Sequence, residues 1–157
     1  MKHLIIFTLV LFSISCTNSY WKMQEDFLLP KKHQLVSNES DKKGITTFNT
    51  YNYSENIDLD SIGDYPIYKM GNRNWEMIKW HKPSNEELNN LKAFLQFEEV
   101  KSYFTSDIEI ENVIIAYSKS IDDPELTDNQ FKLHNWIELY LLETNKKKLT
   151  HISYGKF

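Results

Sequence analysis

Residues 136–154 read WIELYLLETNKKKLTHISY, and this stretch predicts the kind of fold. Two runs rich in strand-forming residues, 136–143 and 149–154, flank the polar segment 144–147, whose residues favour a turn. Two strands joined by so short a turn pair antiparallel. We therefore expect the chain to end in a β-hairpin.

Further strand signals lie upstream of this hairpin. Residues 45–53 alternate Thr, Phe and Tyr with polar residues, as a half-exposed strand does. Residues 66–70 and 75–80 flank the turn sequence GNRN of residues 71–74, which predicts a second hairpin. Residues 113–117 form a short apolar run that also suits a strand. This inventory predicts five to seven strands that are mostly sequential.

One helix has a clear start signal. Ser84 and Glu87 have the spacing of a capping box, in which each side chain binds the backbone of the other residue. Apolar residues follow at helical spacing as far as about Phe97, namely Leu88, Leu91, Phe94 and Leu95. We therefore expect an α+β fold, a mostly antiparallel sheet of about 5–7 strands with one main helix packed on a face.

Residues 1–15 have the composition of an export signal. Lys2 gives a positive start, residues 4–12 are apolar apart from Thr8, and Ser13 and Ser15 are small residues suited to cleavage. The apolar run is much shorter than the roughly 20 residues that a permanent transmembrane helix needs. The sequence therefore predicts a removable signal peptide.

The leader ends at Cys16, which is the chain's only cysteine. Ser15 and Cys16 resemble the cleavage site of bacterial lipoproteins, a family in which the leader is cut before the cysteine and the cysteine is acylated. The resemblance implies lipidation of Cys16 and a place in the bacterial cell envelope, lipid-anchored to a membrane, with the outer membrane favoured. Two alternatives stay open: residues 13–15 are an ordinary secretory cleavage site, or Cys16 is incidental.

These signals divide the chain into three parts. We expect a signal peptide at 1–15, the lipidated cysteine and a flexible tether at 16–43, and a single α+β domain at 44–157. Within the tether, the apolar residues 27–30 are expected to dock on the domain. The formal net charge of −4 gives no basic footprint for nucleic acid. The predicted partners are therefore the membrane, through the lipid anchor, and a protein or glycan.

Metal binding is not predicted. Residues 58–64, DLDSIGD, place carboxylates as in part of a calcium loop, but Ile62 and Lys69 stand where two further oxygen ligands are needed. We interpret the segment as a turn. The histidines beyond the leader, His33, His81, His134 and His151, include no pair at the spacing of a helical metal site. No cofactor and no catalytic residue are assigned.

A candidate binding surface follows from strand alternation in residues 75–81. An ideal strand places Trp75 and His81 on one face and Trp80 on the other. Aromatic residues on both faces suggest that one face is covered and the other binds a partner, with Tyr68, Trp75, Trp80 and His81 as the candidate residues. The pattern equally suits a strand that is covered on both faces, and core packing is the favoured interpretation.

Three functions compete at this point. The first is a membrane-anchored envelope lipoprotein that acts as a non-catalytic binding module. The second is an immunity-type inhibitor of a toxin acting in the periplasm, which suits a small tethered domain. The third is a small hydrolase that uses His81 or His134 with a nearby acid or serine.

Overall fold

The computed structural model describes residues 24, 28–40, 46–59, 65, 67–70, 73–101, 108–122 and 136–155. Within these residues the chain forms seven strands, two short helices and one 3-10 helix. In chain order they are β1 (His33–Ser40), β2 (Thr46–Tyr53), β3 (Tyr68–Met70), β4 (Arg73–His81), α1 (Asn85–Phe94), α2 (Glu98–Lys101), the 3-10 helix (Ile110–Asn112), β5 (Val113–Ser120), β6 (Trp136–Glu143) and β7 (Lys148–Gly155).

The seven strands form one curled sheet in the order β1-β2-β7-β6-β5-β4-β3. Every neighbouring pair is antiparallel. The predicted antiparallel sheet is therefore confirmed, and the described strands reach the upper end of the expected number. The domain is dominated by strands.

The terminal hairpin forms as predicted. Strands β6 and β7 pair without a break from Trp136↔Gly155 to Glu143↔Lys148. The turn between them ends at Lys147, which has a φ of 48° and thus lies in the left-handed region. This hairpin occupies the middle of the sheet, with β5 on one side and β2 on the other.

Helix α1 begins at the predicted capping box. The hydroxyl of Ser84 accepts a hydrogen bond from the backbone N–H of Glu87, and the carboxylate of Glu87 accepts one from the N–H of Ser84 at 2.8 Å. These bonds satisfy two of the N–H groups that a helix start leaves without partners. The helix ends at Phe94, three residues before the expected end, and α2 follows.

Apolar side chains line both faces of the sheet. The first core cluster joins side chains of β2, β5, β6 and β7 to residues of the helical segment: Phe48, Leu91, Phe94, Leu95, Val100, Val113, Ile115, Leu139, Leu141, Ile152 and Tyr154. The second core cluster lies on the opposite face: Leu28, Tyr51, Tyr53, Tyr68, Trp75, Met77, Trp80, Ala116, Tyr140, Leu142 and Leu149. Alternation along β6 shows the division, because Leu139 and Leu141 belong to the first cluster, and Tyr140 and Leu142 belong to the second.

The folded part of the chain begins earlier than predicted. Strand β1 lies within residues 16–43, where the sequence predicts a flexible tether, and it pairs with β2 from His33↔Tyr53 to Ser40↔Thr47. The tether prediction is therefore wrong for residues 33–40. Seven of the eight residues of β1 are exposed, so the strand lacks the apolar alternation by which strands are recognised. Leu28 is fully buried in the second core cluster, which confirms docking of this segment.

Parts of the sequence predictions fall outside the described residues. They include the signal peptide, Cys16 and His134. In the part of the chain that the structure describes, no helix combines the length and the apolar character needed to cross a bilayer.

Candidate functional site

Three of the four residues proposed as a binding surface are buried. Tyr68 is 3% exposed, Trp75 6% and Trp80 8%, and all three belong to the second core cluster. The surface prediction is wrong for them, and the alternative of core packing holds. His81 is half-buried and lies apart from this cluster.

A bulge in β4 explains why the two tryptophans share a face. The pairing of β4 with β5 changes register between Ile78 and His81. One extra residue shifts the alternation by one position, so Trp80 joins Trp75 and Met77 in the second core cluster. His81 consequently lies on the other face, next to Tyr117 of β5.

His81 belongs to a partly exposed polar group that links β4 and β5 to the start of α1. We call this group the Glu87 cluster; it consists of His81, Ser84, Glu87 and Tyr117. The Nε2 atom of His81 lies 2.9 Å from Oε1 of Glu87, and the hydroxyl of Tyr117 donates to the same oxygen at 3.0 Å. The second oxygen of Glu87 binds the backbone N–H of Ser84. One carboxylate therefore connects two strands and a helix start.

The hydrogen bonds hold Glu87 in its charged form. Burial by itself raises the pKa of this carboxyl, but hydrogen bonds from the Ser84 backbone, from His81 and from Tyr117 outweigh burial and lower the pKa to about 2. Charge-assisted hydrogen bonds of this kind are about twice as strong as neutral ones. Glu87 is thus a fixed anion at neutral pH.

The geometry around His81 favours a structural role. Nδ1 of His81 lies 2.7 Å from the backbone oxygen of Lys79, and Nε2 faces Glu87, so both ring nitrogens meet acceptors. A general base needs an unprotonated nitrogen within reach of a substrate, and both nitrogens of His81 are occupied. The Glu87 cluster instead ties the start of α1 to strands β4 and β5.

The structure brings together a second polar group that the sequence analysis missed. We call it the buried polar cluster; its centre consists of Glu138 on β6 and of His151 and Ser153 on β7. Nε2 of His151 donates to Glu138 at 2.6 Å, and the Ser153 hydroxyl donates to the other carboxylate oxygen at 2.9 Å. Glu138 and His151 are 2% and 3% exposed. This is a buried, hydrogen-bonded acid–histidine pair.

Neighbouring side chains complete the surroundings of His151. Tyr140 stacks on the imidazole with ring centroids 4.3 Å apart. The side-chain amides of Gln24 and Asn49 point towards Nδ1 at 3.2 and 3.4 Å. Since amide N–H groups donate, Nδ1 accepts and Nε2 carries the proton. His151 therefore has hydrogen-bond partners at both ring nitrogens.

The buried polar cluster is arranged for packing. In a nucleophilic triad the serine binds the histidine and the histidine binds the acid. Here Glu138 accepts from both Ser153 and His151, so the acid occupies the middle position.

The register of the terminal hairpin could have revealed this cluster from the sequence. Pairing Glu143 with Lys148 also places Glu138 beside Ser153 and Tyr140 beside His151.

Two tyrosines that pack on the same face, the partly buried Tyr65 and the buried Tyr68, remain neutral phenols. Burial raises the pKa of Tyr65 to about 12, against a smaller lowering by a hydrogen bond with the Trp80 backbone. Burial also raises the pKa of Tyr68, and the nearby charge of Glu138 adds to the effect. These phenols supply apolar contacts and hydrogen bonds at every physiological pH.

Metal ligands do not gather among the described residues, where no group of three or more His, Cys, Asp or Glu side chains could hold an ion. Most of the turn at residues 58–64 lies outside the described part, as do Cys16 and His134. Comparison of the chain with protein-family models, with curated proteins and with solved structures finds no match.

Proposed function

We propose that this chain is a membrane-anchored lipoprotein of the bacterial envelope whose folded domain is a binding module. The leader and Cys16 supply the anchor, through acylation of the cysteine. The observation that carries the proposal is that the chain is already part of the fold at Gln24 and Leu28, soon after Cys16. The anchor and the domain thus lie close together in the chain.

The distance from anchor to domain follows from this observation. Gln24 is eight residues after Cys16, and an extended chain spans at most about 28 Å over that length. Two or three acyl chains would hold the cysteine in the bilayer, since each buried methylene contributes about 0.8 kcal/mol. The domain would therefore stay beside the membrane surface, within reach of partners in or near the bilayer.

The binding surface is proposed at the edges of the sheet. Among the described residues, the large apolar side chains that are exposed lie at its two sides: Leu35 and Val36 on β1, and Ile67 and Ile121 beside the β3–β4 hairpin. Ile121 approaches β4 through a hydrogen bond from its N–H to the Asn74 oxygen. These edges replace the buried aromatic residues as the candidate contact with a protein or glycan.

We also infer that α1 covers one face of the sheet. Phe94 of the helix and Tyr154 of β7 make an edge-on ring contact with centroids 5.5 Å apart. At the start of the helix, Glu87 binds His81 and Tyr117 of two strands. With this face covered, the exposed edges remain for partners.

Two experiments test the proposal. Cells that express the wild type or Cys16→Ala are labelled with palmitate and then fractionated; label and membrane association are expected only for the wild type. An unlabelled wild-type protein in the soluble fraction would contradict the anchor.

A photo-crosslinker at Ile67 or Ile121, with one at the exposed Glu86 as control, is expected to capture an envelope partner. Equal capture at Glu86 would contradict a specific edge site. A toxin among the captured proteins would support the immunity-type alternative.

A further inference from the structure

We draw no further inference here: the strongest candidate, the exposed apolar pair Ile67 and Ile121 beside the β3–β4 hairpin, carries nothing beyond the binding surface already proposed, because nothing in the structure shows what covers it.

Discussion

The side-chain amide of Gln24 donates a hydrogen bond to Nδ1 of His151, a residue 127 positions further along the chain. The bond joins the segment before β1 to strand β7 of the terminal hairpin. Leu28 lies in the second core cluster on the same face. Residues that follow Cys16 closely are therefore a structural part of the domain.

The first prediction concerns the burial of Leu28. Leu28→Ala is expected to lower the free energy of unfolding by about 2–5 kcal/mol, because it leaves a cavity among packed aromatic side chains. Urea denaturation monitored by tryptophan fluorescence measures this loss. Leu35→Ala is the matched control: Leu35 is 49% exposed, and its change should lie within about 0.5 kcal/mol. Equal losses for the two variants would show that the segment does not dock.

The second prediction concerns the buried polar cluster. Glu138→Ala is expected to destabilise the protein by about 3–5 kcal/mol, because it leaves the polar groups of His151 and Ser153 buried without their acceptor. Thermal or urea unfolding measures the effect. Glu76→Ala removes a carboxylate 3.9 Å from Lys119 on the surface, and the expected loss is below about 1 kcal/mol. A Glu138→Ala variant as stable as Glu76→Ala would contradict the buried pair.

The third prediction concerns acid stability. The folded pKa of Glu87, about 2, lies below the ordinary value of 4.5, so the charged carboxylate stabilises the fold above pH 4.5. This contribution falls as pH decreases from 4.5 towards 2. Glu87→Gln replaces one carboxylate oxygen with an NH2 group, which then faces an N–H donor. We expect the free energy of unfolding of this variant to be roughly 1–2 kcal/mol lower than that of the wild type at pH 7. The difference in free energy of unfolding between the wild type and this variant should shrink as pH decreases from 4.5 towards 2.

Urea unfolding at several pH values from 7 to 2 checks this dependence. Glu86→Gln is a suitable control, because Glu86 lies in the same helical turn and is exposed. Its stability difference from the wild type should stay small throughout. A Glu87→Gln difference that is constant with pH would contradict the role assigned to the carboxylate.

Local signals in the sequence predicted much of the fold. The β6–β7 hairpin has strand-forming runs on both sides of a polar turn, and the capping box of Ser84 and Glu87 depends on residues three positions apart. Such features act between near neighbours in the chain. The order of strands in the sheet depends on distant pairing, and strand β1 lacks the apolar pattern that would have identified it.

The candidate site was harder to predict, because it depends on register. A bulge in β4 turns Trp80 to the side of Trp75, and no residue within β4 marks its position. The pair of Glu138 and His151 forms across two strands and is completed by Gln24, which the sequence placed in a flexible tether. Polar residues in a strand suggest exposure, and only the register of the hairpin reveals that these partners are buried together.

Intact-mass analysis of the protein purified from bacterial membranes tests the lipoprotein proposal most directly. We expect a mature chain that begins at Cys16 and carries the added mass of acyl chains. A product that begins at another residue, or one that begins at Cys16 with an unmodified thiol, would contradict the anchor on which the proposed function depends.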